Sequence, residues 1–283
     1  MMNEGSFAAT FLVVFREALE GSLIVGIILT LLSRLKAGRY SGYVVASAGM
    51  AILASILAGL SLSLLTGSAQ GRTETLMAGS ISFIACGVLT YMVFWMDAQS
   101  RSIKPHLEEK VSGAISRNDF LAMVAIPFLA VFREGAETVL FLKAVAIQGG
   151  SVVSLWGGIV GILLAVCLTS LIFVWGKRIP LQPLFRGTGF FILLIAAGLF
   201  AMGIHEFQEL GLVPVLLYPV WNMNVILNEN EGIGSFLKAI FGYNGAPSLM
   251  EALAYWSYLT GIFLAIRYPS TRRSSPKISD LMS

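Results

Sequence analysis

The sequence predicts an all-helical, polytopic membrane protein of seven transmembrane helices. Spans 1–3 and 4–6 form an inverted repeat, and the seventh stands outside it. Three observations carry this prediction. Of 283 residues, 56% are hydrophobic and only 12% are charged, whereas a soluble domain carries about 25% charged residues. Seven segments are mostly apolar over the roughly 20 residues a helix needs to cross a bilayer. One charged pentapeptide also occurs twice within those segments, as Arg16-Glu17-Ala18-Leu19-Glu20 and Arg133-Glu134-Gly135-Ala136-Glu137.

In order, the predicted spans are Phe7–Leu32, Tyr43–Thr66, Glu74–Asp97, Phe120–Ile147, Val152–Gly176, Gly187–Phe207 and Leu249–Arg267. Their direction follows from the short flanking loops, because Lys and Arg accumulate on the cytoplasmic side. Arg34, Lys36 and Arg39 follow span 1, and Arg101, Lys104, Lys110 and Arg117 follow span 3. Lys177, Arg178 and Arg186 follow span 5, and Arg267, Arg272, Arg273 and Lys277 lie at or beyond the end of span 7. The opposite side has only Arg72 and Lys238. The N-terminus is therefore expected outside and the C-terminus in the cytoplasm. The start, Met1-Met2-Asn3-Glu4, lacks a basic n-region, so no secretory signal peptide is expected. A net charge of +3, once segregated in this way, reflects membrane orientation, and no nucleic-acid partner is expected.

This orientation makes the duplication an inverted one. Windows 11–21 and 128–138 are identical at seven of eleven positions, yet span 1 runs inward and span 4 outward. A fainter echo pairs Ala85-Cys86-Gly87 in span 3 with Ala196-Ala197-Gly198 in span 6. Residues 1–97 and 120–207 read as two three-helix units of one transmembrane domain over 1–283. An external loop covers 208–248, and the seventh span and cytoplasmic tail cover 249–283. In the loop, Pro214 and Pro219 interrupt the first apolar run. Ile233, Phe236, Leu237, Ile240 and Phe241 then recur at helical intervals, predicting a short amphipathic helix at the interface. Gly157 and Gly161 have the small-xxx-small spacing of close helix contacts. Cys86 and Cys167, both within apolar segments, are expected to be small buried packing residues.

The duplicated charges carry the functional reading. An ionisable group at the bilayer centre costs roughly 2.5–3.5 kcal/mol on insertion scales. Residues three and four apart share a helix face, so Glu17 and Glu20 point the same way, with Arg16 one turn before Glu20. Arg133, Glu134 and Glu137 repeat the pattern. Glu17 lies about 15 Å along span 1 at 1.5 Å per residue, near the middle of a ~30 Å hydrocarbon core. Two antiparallel helices could thus gather four carboxylates at one depth. With two guanidinium groups the cluster sums to −2, and a divalent cation would neutralise it. All-oxygen donors suit hard cations, and no cluster of histidines or thiols points to copper(I) or zinc. Glu17, Glu20, Glu134 and Glu137 are the expected metal ligands. Arg16 and Arg133 are expected to be countercharges that release glutamate as metal arrives, coupling occupancy to gating. A purely structural role fits less well, because four acids exceed two bases and buried ion pairs often stabilise poorly.

At these residues the chain resembles the oxidase-dependent iron permease family, in particular its bacterial high-affinity members. The family signature is Arg-Glu-x-x-Glu in the first and fourth spans, usually with Gly-Leu between. Here the middle pairs are Ala18-Leu19 and Gly135-Ala136, so the spacers depart while every charged position matches. Further resemblance lies in Leu89-Thr90-Tyr91-Met92-Val93-Phe94-Trp95-Met96 and in Ala196-Ala197-Gly198-Leu199 with His205-Glu206. Ile240-Phe241-Gly242-Tyr243, followed by Ala246-Pro247-Ser248, extends it nearly end to end. The resemblance implies high-affinity iron uptake across the bacterial plasma membrane, with iron as transported substrate and no tightly bound cofactor. It also implies a separate oxidase or periplasmic delivery partner.

His205-Glu206-Phe207-Gln208-Glu209 begins like a metalloprotease helix, but Glu209 stands where the second histidine is needed, so no enzyme is expected. His205, Glu206 and Glu209 fit either an external capture point or a solvated helix end. Glu229 and Glu231 fit either cation enrichment or a wet loop. Trp95, Met92 and Met96 read as lipid-facing or packing residues. A permease of the same fold for lead or manganese is the nearest alternative, since carboxylates alone do not select iron. A seven-helix receptor would leave the paired acids without a use.

Overall fold

The computed structural model describes residues 4–67, 70–99, 103–117, 119–149, 154–173 and 181–267. Among these residues all regular structure is helical: α1 Glu4–Arg34, α2 Ser41–Gly67, α3 Arg72–Gln99, α4 Ile103–Ser116, α5 Phe120–Gly149, α6 Leu155–Phe173, α7 Leu181–Glu209, α8 Gly232–Phe241 and α9 Leu249–Arg267. Five helices (α2, α3, α6, α7 and α9) are long and apolar enough to cross a membrane. Helices α1 and α5, of 31 and 30 residues, match them in length but carry the two charged pentapeptides. Arg101, Lys177, Arg178, the predicted ends of span 5 at 152–153 and 174–176, and tail residues 268–283 lie outside the described residues. So do the side chains of Met96, Asp97 and Lys104.

Sequence neighbours are not the main packing partners. Helix α1 packs chiefly on α6, α2 on α5, and α3 on α7, while α1 also crosses α5. Small residues make this possible. Gly157, Gly161, Ala165 and Thr169 form the buried stripe of α6. A Cβ on Gly157 would lie 2.6 Å from the Phe7 carbonyl oxygen, and one on Gly161 3.0 Å from the Phe15 nitrogen. The predicted glycine spacing is therefore a backbone-to-backbone contact with α1. Thr169 adds a hydroxyl hydrogen bond to Ser22 at 2.7 Å. On α2 the corresponding buried stripe is Val44, Ser47, Ala51 and Ser55. Ser55 presses on α5 where a Cβ at Gly135 would collide with its side chain, which accounts for glycine in the second pentapeptide.

The main core joins α1, α3, α5, α7 and α8 through Val13, Cys86, Leu89, Met92, Phe141 and Ile195. The small-residue echo lies here, with Ala85, Cys86, Ala196 and Ala197 all buried. Helix α7 is the most buried of the five apolar helices, while α2 and α9 turn most of their surface outward. Leu53, Leu57, Leu64, Trp256 and Phe263 are among the exposed apolar side chains, as expected where lipid is the solvent.

Three features depart from expectation. Cys86 is buried but Cys167 is exposed: α6 buries only the line through Gly161, Ala165 and Thr169, and Cys167 falls on the other side. The connection after span 3, read from its charge as a loop, contains α4. Its Val111 and Ala114 pack with Ile28, Leu32, Tyr40 and Met123, a helical spacing masked by polar neighbours. Helix α8 forms as predicted, but it packs against α1 as well as α7. Its Ser235 carbonyl sits where a Cβ on Gly5 would clash.

Helix α8 ends at Gly242, which adopts the left-handed conformation (φ 64°). That region costs an L-residue about 1–2 kcal/mol. Gly242→Ala should therefore destabilise the protein by about 1 kcal/mol, seen as a lower Tm of the detergent-purified chain. An unchanged Tm would mean the cap contributes nothing.

Candidate metal-transport site

Each pentapeptide closes its own ion pairs within one helical turn. Arg16 Nε lies 3.2 Å from Glu20 Oε1, and Arg16 Nη1 lies 3.7 Å from Glu17 Oε1. Arg133 Nε donates to Glu137 Oε1 at 2.9 Å and lies 3.9 Å from Glu134 Oε1. The aromatic lead-ins repeat too: Phe11 stacks on Phe15 at 5.7 Å and Phe128 on Phe132 at 5.8 Å.

The crossing of α1 and α5 brings the two motifs together. One carboxylate oxygen from each of Glu17, Glu134 and Glu137 lies within 4.8 Å of the others. Glu20, expected as a fourth ligand, is held by Arg16 outside that triad. Both oxygens of Glu17, Glu20 Oε1, Glu134 Oε2 and Glu137 Oε2 are buried without a well-formed hydrogen bond among the described residues, as are Arg16 Nε and Nη1. An unsatisfied buried acceptor costs about 1–3 kcal/mol, more when charged. Two of these oxygens, Glu17 Oε1 and Glu20 Oε1, still face Arg16. The other three, on Glu17, Glu134 and Glu137, form a poor structural tie but a suitable donor set for a hard cation.

The two halves are not equivalent. The Arg16 side chain is only 2% exposed, whereas that of Arg133 is 41% exposed. The Arg133 guanidinium stands 4.6 Å over the Trp95 ring, a cation–π contact worth about 0.5–2 kcal/mol. Trp95 is thus more than a packing residue. No short-range sequence rule links an aromatic on span 3 to an arginine on span 4. Met92, by contrast, is buried in the core as expected.

Gly21 faces Glu134, and a Cβ there would sit 3.9 Å from Glu134 Cγ. That is ordinary van der Waals contact, so Gly21→Ala should leave metal binding within about twofold, well below the tenfold that 1.4 kcal/mol represents. Gly21→Leu should displace the Glu134 carboxylate and remove binding. Equal binding by both variants in equilibrium dialysis would exclude this packing role.

A second polar group of residues closes the end of the helices where α7 stops and α9 starts. His205 Nδ1 lies 3.1 Å from Glu251 Oε1 and its Nε2 lies 3.5 Å from Glu209 Oε1. Asn244 Nδ2 donates to Glu251 Oε2 at 2.6 Å. Of the three predicted capture residues, His205 lines a cleft here, Glu209 is exposed beside His205, and Glu206 is not among the cleft's lining residues, its Cβ lying against Gly79 on α3. Glu251 lies in the first turn of α9, at the end of its span, where the midplane cost that singles out Glu17 does not apply. Glu229 organises the connection: it accepts from Lys238 Nζ at 3.0 Å and from the Gly245 N–H at 2.7 Å. Burial raises the Glu229 pKa, but these two donors outweigh it and hold the carboxyl below its ordinary range.

A polytopic helical protein with buried acids from two crossing helices around an oxygen-donor triad belongs to the class of cation transporters. The iron permease FTR1 family profile matches residues 7–270, and the chain belongs to that family. It is 36% identical over 251 residues to the ferrous iron permease EfeU of Yersinia pestis, covering 88% of this chain and 89% of the relative. It is likewise 36% identical over 263 residues to the ferrous iron permease EfeU of Escherichia coli O6:H1, covering 92% and 95%. No solved structure matches the chain. The protein is an iron transporter, a multi-pass protein of the plasma membrane.

Proposed function

We propose that the chain takes up iron through a site at the α1–α5 crossing, with Glu17, Glu134 and Glu137 as direct ligands and Glu20 as an exchangeable fourth. The single observation carrying this reading is the meeting of three carboxylates from both motifs with oxygens unsatisfied by the protein. Arg16 and Arg133 neutralise the acids in the metal-free cycle. An arriving ion competes with each arginine for its glutamate, and that exchange couples occupancy to rearrangement of the helices.

In this reading α1 and α5 also span the membrane, giving seven spans with the N-terminus outside. Helices α1–α3 and α5–α7 are its inverted repeat over 1–97 and 120–207. Packing supports the relation: exchanging α1 with α5, α2 with α6 and α3 with α7 turns the α1–α6 pair into the α5–α2 pair and leaves α3–α7 unchanged. Inverted-repeat transporters carry their site at such an interface near the midplane. His205 and Glu209 then lie on the outer side and meet the ion first. Iron needs no tightly bound cofactor here, and a separate oxidase or periplasmic delivery protein supplies it.

Radioactive iron uptake into proteoliposomes, with lead and manganese as competitors, tests the assignment. Iron accumulation that excess manganese and lead leave largely intact supports iron selectivity. Preferred uptake of either competitor assigns the site to that metal, and no uptake of any favours a receptor.

A further inference from the structure

We propose a second cation site in the outer cleft, upstream of the paired-motif site, in which His205 and Glu251 bind a borderline divalent metal ion and Asn244 positions Glu251. It rests on the transport reading above and adds a separate binding step to it. The cleft has a volume of about 200 Å³ and lies between α7, α8, the first turn of α9 and the segment leading into it. Glu251 is 4% exposed and is anchored twice. Its backbone N–H lies 3.2 Å from Ser248 Oγ, and Asn244 donates to Oε2 at 2.6 Å while Asn244 Oδ1 accepts from the Ala246 N–H. Oε1 is thereby aimed at His205 Nδ1, 3.1 Å away. That separation suits two adjacent ligands on one metal with bonds of about 2.1 Å.

The surrounding charges favour a cation at this pair. The other acid facing the cleft, Glu229, is taken up by Lys238 and the Gly245 N–H. Glu251 has only the His205 ring and a neutral amide. A metal that inserts between Nδ1 and Oε1 replaces the proton they share, and that proton leaves to solvent. One imidazole nitrogen with one carboxylate oxygen is a borderline donor set. It suits ferrous or cobaltous ions better than the all-oxygen cluster at the α1–α5 crossing does. From His205 the cleft is lined along one face of α7 by Met202, Ala201 and Gly198, about 10 Å toward the middle of the helices at 1.5 Å per residue.

Anaerobic cobalt(II) binding to the full chain in detergent tests the proposal, read as stoichiometry and ligand-field absorption. The Glu17→Gln/Glu134→Gln variant should keep one cobalt ion with a nitrogen-ligand spectrum. Adding His205→Asn or Glu251→Gln should weaken that ion at least about tenfold, the scale at which even outer-shell changes act. Asparagine retains a hydrogen bond to Glu251, so it separates metal ligation from a structural α7–α9 tie. No cobalt in the double variant overturns the site, as does an unchanged cobalt affinity with His205→Asn and Glu251→Gln. A lower Tm with unchanged cobalt reduces the pair to a structural tie. His205→Asn alone should still bind cobalt at the α1–α5 crossing. Its complete loss there would instead sink the midplane reading, keeping the two failures distinct.

Discussion

Glu17→Gln and Glu134→Gln should each reduce iron uptake into proteoliposomes by more than about 100-fold at sub-saturating iron, since even outer-shell changes cost 10–100-fold. Each substitution preserves size and removes one anionic oxygen donor from a triad whose atoms lie within 4.8 Å of one another. The α1–α5 crossing makes the effect shared, because one acid comes from each helix. Glu20→Gln is the informative contrast. Glu20 lies beside Arg16, 3.2 Å from its Nε, and outside the triad, so its loss should reduce uptake less. Equal losses at Glu17, Glu20 and Glu134 would restore a symmetric four-ligand site. Full uptake by Glu17→Gln or Glu134→Gln, at matched protein and orientation, would make that motif structural and end the midplane assignment.

What the sequence made legible and what it did not divide along the range of the interactions. Motif geometry was readable because Arg16–Glu20 and Arg133–Glu137 are i, i+4 pairs on one helix. The Gly157/Gly161 contact was readable as a spacing, but its partner was not. Nothing local assigns α6 to α1 rather than to its neighbour α5. The position of Glu20 beside the triad rather than in it follows from the same cause, since the crossing of α1 and α5 decides which acids converge. Trp95 under Arg133 and Ser55 against Gly135 are contacts between helices distant in sequence, set by how the bundle packs. Glu251 is different. An ionisable residue two positions into an apolar span was visible, and its three-residue spacing from Ser248 resembles a helix-capping pattern that offers a local use for it. In the fold its side chain turns instead to His205 and Asn244.

Arg16→Met should cost about 3–5 kcal/mol of stability, because breaking a buried ion pair leaves its acid uncompensated. Arg16 is 2% exposed, and both acids it serves are buried, so water cannot screen the loss. Arg133→Met should cost less than Arg16→Met, because only the Arg16 guanidinium is fully enclosed by protein. Its side chain is 41% exposed, and the Trp95 contact is a modest addition. The main consequence at Arg133 should appear in transport, where the exchange of glutamate between arginine and metal is lost from the second motif. Removing Glu20 together with Arg16 discriminates further. Replacing both members of a buried pair is often neutral or stabilising, so Arg16→Met/Glu20→Gln should recover much of the stability lost by Arg16→Met alone, a coupling expected of neighbours. Thermal denaturation of the detergent-purified variants reads these differences. Equal destabilisation by Arg16→Met and Arg133→Met would show that the observed difference in exposure has no energetic consequence. Failure of Glu20→Gln to rescue would mean that Glu17, rather than Glu20, is the acid whose charge Arg16 chiefly offsets.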